Sequence, residues 1–430
     1  MLFILNNLVL PVSFNYQQFV LFFGELFLLS MLLLLLLDVS NPKLELVPSP
    51  KLTSYTLKLN SRVYSLMILT SIFILISTIP YNGSIFLNVF NLKKTTYWLF
   101  FDKVAIDMFT SSIKILILFS SILILKFSKG FFIDIHKIEN SLELPLLVGF
   151  TTIFLLLLVS TMDLIVMGLT MEGLSLILYV MININLHWES GLEASIKYFS
   201  LGGIISAISW LGISIIYGVT DITNFIWLSS FITTFSYAKH SLLNLGLLCI
   251  TTGFLFKLSA FPCHIWAPEV YLGCALPVTA FLMVPTKISF FSIFARILYY
   301  AFWPLHNIWQ VYITIAAIGS LIFGAVLTLS EKILKRWLAS ASTNQIGILL
   351  LGLSCTTWHG LKSTYFYLFI YILTMLLFFC TILFTNFRNL ELKELSKLST
   401  FSKKNAVFSS VLTLIILNIG GLPPTLGFVK

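Results

Sequence analysis

Lys257 stands inside an apolar stretch, TTGFLFKLSAFPCHIWAPE from Thr251 to Glu269. With hydrocarbon on both sides, a cation there costs at least about 2.5 kcal/mol. Glu172, in LTMEGLSLILYV, and Lys287, in FLMVPTKISFFSIF, are isolated in the same way, and the chain's last residue is Lys430, in GGLPPTLGFVK. A carboxylic acid buried without a partner can hold or release a proton near neutral pH, and a desolvated lysine can cycle between ammonium and amine. An acid on one helix facing a lysine on another makes a switchable pair: closing it favours the ammonium, opening it the amine. Such residues inside apolar helices point to the movement of protons or ions.

Each has a plainer reading. Glu172 would be hydrogen-bonded to a neighbouring helix, and a lysine would snorkel to the interface, which suits Lys126 and Lys239 at span ends. His264 follows Lys257 by seven residues, two helical turns if the helix continues. It would relay protons or simply close the helix end. Glu193 and Lys197, in GLEASIKYF, have the i, i+4 spacing of an ordinary helix ion pair, and Glu269 falls at the membrane boundary.

Composition dictates what carries these residues. Of 430 residues, 58% are hydrophobic and 10% charged, with a mean hydropathy of +0.99. Soluble domains carry about 25% charged residues, and no globular shape has interior enough for this apolar content. The apolar runs are continuous rather than alternating, which excludes a barrel and implies an all-α polytopic membrane protein. The net charge of +9 comes from Lys and Arg scattered along loops, such as Lys93-Lys94 and Lys403-Lys404. That pattern orients helices and does not bind nucleic acid. Cys249, Cys263, Cys274, Cys355 and Cys380 are odd in number and lack metal-site spacing, so neither a disulfide framework nor a metal is expected. No basic leader or transit peptide is recognisable at the start. The wealth of Leu, Ile, Phe, Lys and Asn is typical of an AT-rich, organelle-like coding sequence.

A span needs about 20 apolar residues. Eleven complete candidates centre on 19–37, 64–80, 105–126, 144–160, 164–184, 194–217, 242–261, 275–298, 308–329, 337–353 and 365–384; a twelfth begins near Ala406 and is incomplete. The run FIWLSSFITTF, within 221–239, is too short for a span and reads as re-entrant or interfacial, and 387–404 reads as an amphipathic surface segment. Two segments, GFLFKLSAFPCHIWAPE and NIGGLPPTLGFVK, carry Pro and Gly beside a lysine. Broken helices in corresponding positions of two halves mark an inverted-repeat transporter. The expected organisation is 1–141 as N-terminal helices and loops, 142–303 as a first five-helix repeat, and 304–430 as an incomplete second. Phosphate-loop, dinucleotide and C-x-x-C motifs are absent, so any coupled redox chemistry belongs to another subunit.

GLEASIKYF, FKLSAFPCHIWAPEVYLGCALPVTAFLMVPTKISFF, LKRWLASASTNQIGILLLGL and GLPPTLGFVK together resemble the subunit 2 family of proton-pumping NADH:ubiquinone oxidoreductase, respiratory complex I. The resemblance runs from about Leu142 to the end, and W-A-P-E-V-Y followed by P-V-T-A-F is its most specific part. Subunits 4 and 5 and the Mrp-type antiporters share the broken-helix lysines but look different around W-A-P.

The resemblance implies fourteen helices with two inverted five-helix repeats. It implies that Glu172, Lys257, Lys287 and Lys430 are the proton-carrying groups of the fifth, seventh, eighth and twelfth helices. Glu172 and Lys257 would form the switchable pair, Lys287 would pass the proton laterally, and Lys430 would deliver it. NADH, FMN, iron–sulfur clusters and ubiquinone would sit in partner subunits, with no cofactor in this chain. Subunits 4 and 4L, accessory subunits and lipids would be its partners in the mitochondrial inner membrane. The rivals are a stand-alone Mrp-type cation/proton antiporter and a structural subunit with an inactive channel. Two departures stand out. Many members have a histidine where this chain has Gln345, which cannot titrate. The family also continues beyond the position of Lys430, so either the sequence is trimmed or a separate polypeptide supplies the last helices.

Overall fold

The computed structural model describes residues 97–100, 102–129, 143–184, 189–234, 240–387, 394–396, 406–423 and 425–428. The expected spans 19–37 and 64–80, most of 387–404, and Lys430 lie outside them. Among the described residues, eight helices are long and apolar enough to cross a membrane. The chain is a multi-pass helical membrane protein.

A departure from the all-helical expectation comes first: β1 (Tyr97–Leu99) and β2 (Val104–Ile106) form an antiparallel hairpin with Trp98 opposite Ala105. Helix α1 (Met108–Lys129) follows; at its start, Asp107 and Thr110 exchange side chain–backbone hydrogen bonds of 2.9 and 3.0 Å. Then come α2 (Glu143–Ser160), α3 (Leu164–Ile182) and α4 (Glu189–Thr220). Asp163 caps α3, accepting from the backbone N–H of Ile165 and Val166. The short run expected to be re-entrant is α5 (Phe225–Thr234), whose Phe225, Leu228 and Ile232 are buried.

The next elements are α6 (His240–Leu258), α7 (Trp266–Gly273), α8 (Leu276–Met283) and α9 (Pro285–Arg296). The expected span 275–298 is thus two helices. Pro285 has no N–H to continue the ladder, and the helix is interrupted at Val284. Tyr371 donates from its hydroxyl to the Met283 carbonyl at that break, 3.0 Å away. Every residue from Pro277 to Leu298 is buried, and this segment forms the centre of the bundle. Around it lie α10 (His306–Ser330), α11 (Leu334–Ser354), α12 (Trp358–Phe387) and α13 (Ala406–Gly420).

Helices α6 and α13 end alike. In α6 the N–H of Ala260 returns to the Leu255 carbonyl and that of Ser259 to Phe256; in α13 Leu422 returns to Leu417 and Gly421 to Asn418. Both are Schellman termini, with the turning residue left-handed: Ser259 at φ 59° and Gly421 at φ 73°. Pro262 and Pro423 follow and prevent the helices from resuming.

Helices α4 and α6 pack backbone to backbone. A Cβ on Gly212 would come within 2.7 Å of the Gly246 carbonyl, and one on Gly253 within 2.9 Å of the Ser209 Cβ. Small residues permit such approach where lipid gives helices no hydrophobic reason to associate.

Candidate functional site

The Schellman turn of α6 gathers the site. Lys257 lies in the last turn of the helix, two residues before Ser259. Its side chain is buried, and Nζ has no hydrogen-bond partner among the described residues. It lies 5.8 Å from the centroid of the Tyr198 ring and 6.0 Å from that of Phe256. Aromatic faces attract a desolvated cation by roughly 2 kcal/mol. Trp266 fixes this cage: it packs on both rings, and its indole N–H donates to the Phe256 carbonyl at 3.0 Å.

Lys287, on α9, reaches the same turn from the other side. Nζ donates to Ser259 Oγ at 3.1 Å and to Ser342 Oγ, on α11, at 2.9 Å, and lies 6.0 Å from the Tyr271 ring. It is 3% exposed. Two buried amines therefore stand on either side of one helix break, the second held by neutral oxygens.

Glu172 is not buried as the sequence reading expected. It lies on an exposed stripe of α3 with Ile165, Leu169, Leu176 and Val180. Helix α3 is apolar on every side, so no periodicity marks its outward face. The carboxylate accepts from the Trp210 indole N–H, on α4, at 2.9 Å. Glu172 and Lys257 line one narrow crevice between α3, α4 and α6. The structure brings them together without a direct hydrogen bond.

His264 is not two helical turns from Lys257, because the helix ends between them. It is buried in the connecting turn against Phe261 and Phe323, and its Nδ1 has no partner among the described residues. Glu193 and Lys197 form the expected ion pair at 2.7 Å, and Glu269 joins Lys197 at 2.7 Å; all three are exposed. Both polar atoms of the Gln345 side chain are engaged: Tyr367 donates to its Oε1, and its Nε2 donates to the Ile419 carbonyl at 2.8 Å, near the end of α13.

Several residues were missed from sequence. Ser259, Ser342 and Trp210 carried no signal, being ordinary types in apolar helices. Arg296 and Asp107, at the edges of two expected spans, form a buried ion pair. Arg296 also donates to the Val159 carbonyl at 2.9 Å and lies over the Phe109 ring.

Residues 161–430 match the family described as NADH:quinone oxidoreductase/Mrp antiporter, transmembrane. NADH-ubiquinone oxidoreductase chain 2 of Marchantia polymorpha is 34% identical over 336 residues, 77% of this chain and 67% of that protein. NADH-quinone oxidoreductase subunit N of Pelagibacter ubique is 32% identical over 330 residues, 77% of this chain and 69% of that protein. Among solved structures, respiratory complex I from Thermus thermophilus with bound aureothin contains a chain with a TM-score of 0.67 and 23% identity, aligned over 88% of this chain and 79% of that one. A chain of the Mrp complex from Dietzia has a TM-score of 0.74 and 18% identity, over 94% of this chain and 72% of that one. Both share the fold.

Proposed function

Because the chain belongs to the NADH:quinone oxidoreductase/Mrp antiporter membrane family, we propose that it is a proton-translocating membrane-arm subunit of respiratory NADH:ubiquinone oxidoreductase. NADH oxidation and ubiquinone reduction take place in partner subunits, which carry FMN and iron–sulfur clusters, and this chain moves protons in response. Subunits 4 and 4L and accessory subunits are its neighbours in the mitochondrial inner membrane.

One observation carries this reading: the buried amines of Lys257 and Lys287 converge on a single helix break, and the hydroxyl of the breaking residue holds Lys287. A buried ammonium is stable with a carboxylate beside it and gives up its proton more readily without one. Lys257 is therefore loaded when Glu172 closes on it. When Glu172 withdraws, the proton leaves the Lys257 ammonium and binds the free amine of Lys287. Ser259 and Ser342 then accept hydrogen bonds from the new ammonium. Lys430 is the next carrier toward the exit side. His264, whose Nδ1 has no hydrogen-bond partner among the described residues, is a further relay candidate.

Lys287→Met in the assembled complex tests this. NADH oxidation by an artificial acceptor is expected to persist while quinone-coupled proton pumping is lost or falls sharply. Normal pumping in the assembled variant sinks the role.

The likeness to the Mrp complex chain favours a second reading, a stand-alone cation/proton antiporter. It requires the purified chain, in vesicles, to exchange Na⁺ or K⁺ for protons.

A further inference from the structure

Glu172 shares the crevice with Trp210 and Lys257, and it is docked on Trp210. The serine hydroxyls lining the crevice are committed elsewhere: Ser175 donates to the Glu172 backbone carbonyl at 2.7 Å, Ser206 to the Gly203 carbonyl at 2.9 Å, and Ser209 to the Ser206 carbonyl at 2.7 Å. Among the described residues, the carboxylate accepts from the indole N–H, while the Lys257 Nζ has no acceptor.

The indole is itself held. Gly168 precedes Glu172 by one turn on α3, and a Cβ there would come within 3.0 Å of the Trp210 ring. The ring therefore lies against the bare backbone of α3, with its N–H directed at the carboxylate. The crevice that Glu172 and Lys257 help to line has a volume of about 10 Å³, near the least that admits one water.

We infer that Trp210 is a positioning residue: its indole N–H holds the Glu172 carboxylate off Lys257, and the carboxylate alternates between the indole and the ammonium. This rests on the relay proposed above and adds what defines its open state. The indole is neutral, so it holds the carboxylate without setting a second cation beside Lys257. The exchange is a contest between one hydrogen bond and one ion pair, which is what a reversible switch requires. A hydrogen bond to a charged acceptor shifts such a balance by about tenfold or more.

The test uses the assembled complex carrying Trp210→Phe, which keeps an aromatic ring and removes the N–H. Infrared difference bands of Glu172, assigned by their loss in Glu172→Gln, are expected to shift, and quinone-coupled pumping to fall by about tenfold. A merely structural role for Trp210 would leave those bands in place. Should Trp210→Phe fail to assemble, the resonance Raman band of the indole N–H in the native complex supplies the same readout: it is expected to change on Glu172→Gln. An unchanged band there, or unchanged Glu172 bands and pumping in assembled Trp210→Phe, overturns the inference. The two ideas fail separately. If Lys257→Met leaves pumping intact, the relay is wrong. If Lys257→Met abolishes pumping and Trp210→Phe alters nothing, the relay stands and Trp210 has no part in it.

Discussion

Lys287 Nζ donates to Ser259 Oγ at 3.1 Å, and Ser259 is the left-handed residue that ends the helix carrying Lys257. One residue therefore sets the backbone for one amine and the side-chain acceptor for the other. Glycine separates these duties. It adopts φ 59° without the roughly 1–2 kcal/mol that a Cβ costs there. Ser259→Gly is expected to assemble as well as the native chain but to weaken the hydrogen bonding of the Lys287 ammonium by about 1.5–3 kcal/mol. Proton pumping measured per NADH oxidised should fall several-fold. Native coupling in Ser259→Gly would show that the hydroxyl is dispensable.

The buried pair of Arg296 and Asp107 makes a stability prediction. Arg296→Met leaves a carboxylate buried without its cation, which costs about 3–5 kcal/mol. Asp107→Asn on top of it removes the stranded charge and keeps the oxygen that accepts from the Thr110 N–H. The single variant should accumulate poorly in assembled complex on native gels, and the double variant should recover most of the loss.

Gln345 joins α11 to Tyr367 on α12 and to the Ile419 carbonyl at the break of α13. Gln345→Leu deprives the buried Tyr367 hydroxyl of its acceptor, at about 1–3 kcal/mol, and removes one tie to the break. Tyr367→Phe added to it should cost less than the two changes summed, since the orphaned hydroxyl goes too. Hydrogen exchange across Asn418–Leu422 checks this, with faster exchange expected in Gln345→Leu.

These residues show what the sequence could carry. Lys257 and Lys287 were legible because a lysine among apolar neighbours has no ordinary explanation. The pairing of Glu193 with Lys197 was legible because i, i+4 spacing is local. The outward position of Glu172 was not, since α3 is apolar all round and offers no moment to orient it. His264 was placed by counting through a helix that Ser259 ends, a serine in a conformation that usually advertises itself as glycine. Arg296 and Asp107 meet across separate helices, and nothing local to either position announces the other. The two lysines also stand differently to their turns. Lys257 precedes its turning residue by two positions, whereas Lys430 follows Gly421 by nine.

The glycine contact between α4 and α6 offers a test of how closely the relay depends on helix spacing. Trp210 rides on α4 and Lys257 on α6, so their separation follows from the approach at Gly212 and Gly246. Gly212→Val would drive its side chain into the Gly246 carbonyl, 2.7 Å from the first added carbon, and neither backbone can turn aside. Overpacking of this kind costs about 1–3 kcal/mol and widens the interface. Pumping is expected to fall by more than can be explained by the amount of assembled complex. Gly203 lies on the same helix, and a Cβ added there would meet nothing within 4 Å, so Gly203→Ala is the matched control. It removes backbone freedom from the unfolded chain, should stabilise α4 by about 0.5–1 kcal/mol, and should leave pumping unchanged. Equal pumping per assembled complex in Gly212→Val and Gly203→Ala would show that the crevice tolerates a wider spacing than the Trp210–Glu172 hydrogen bond implies.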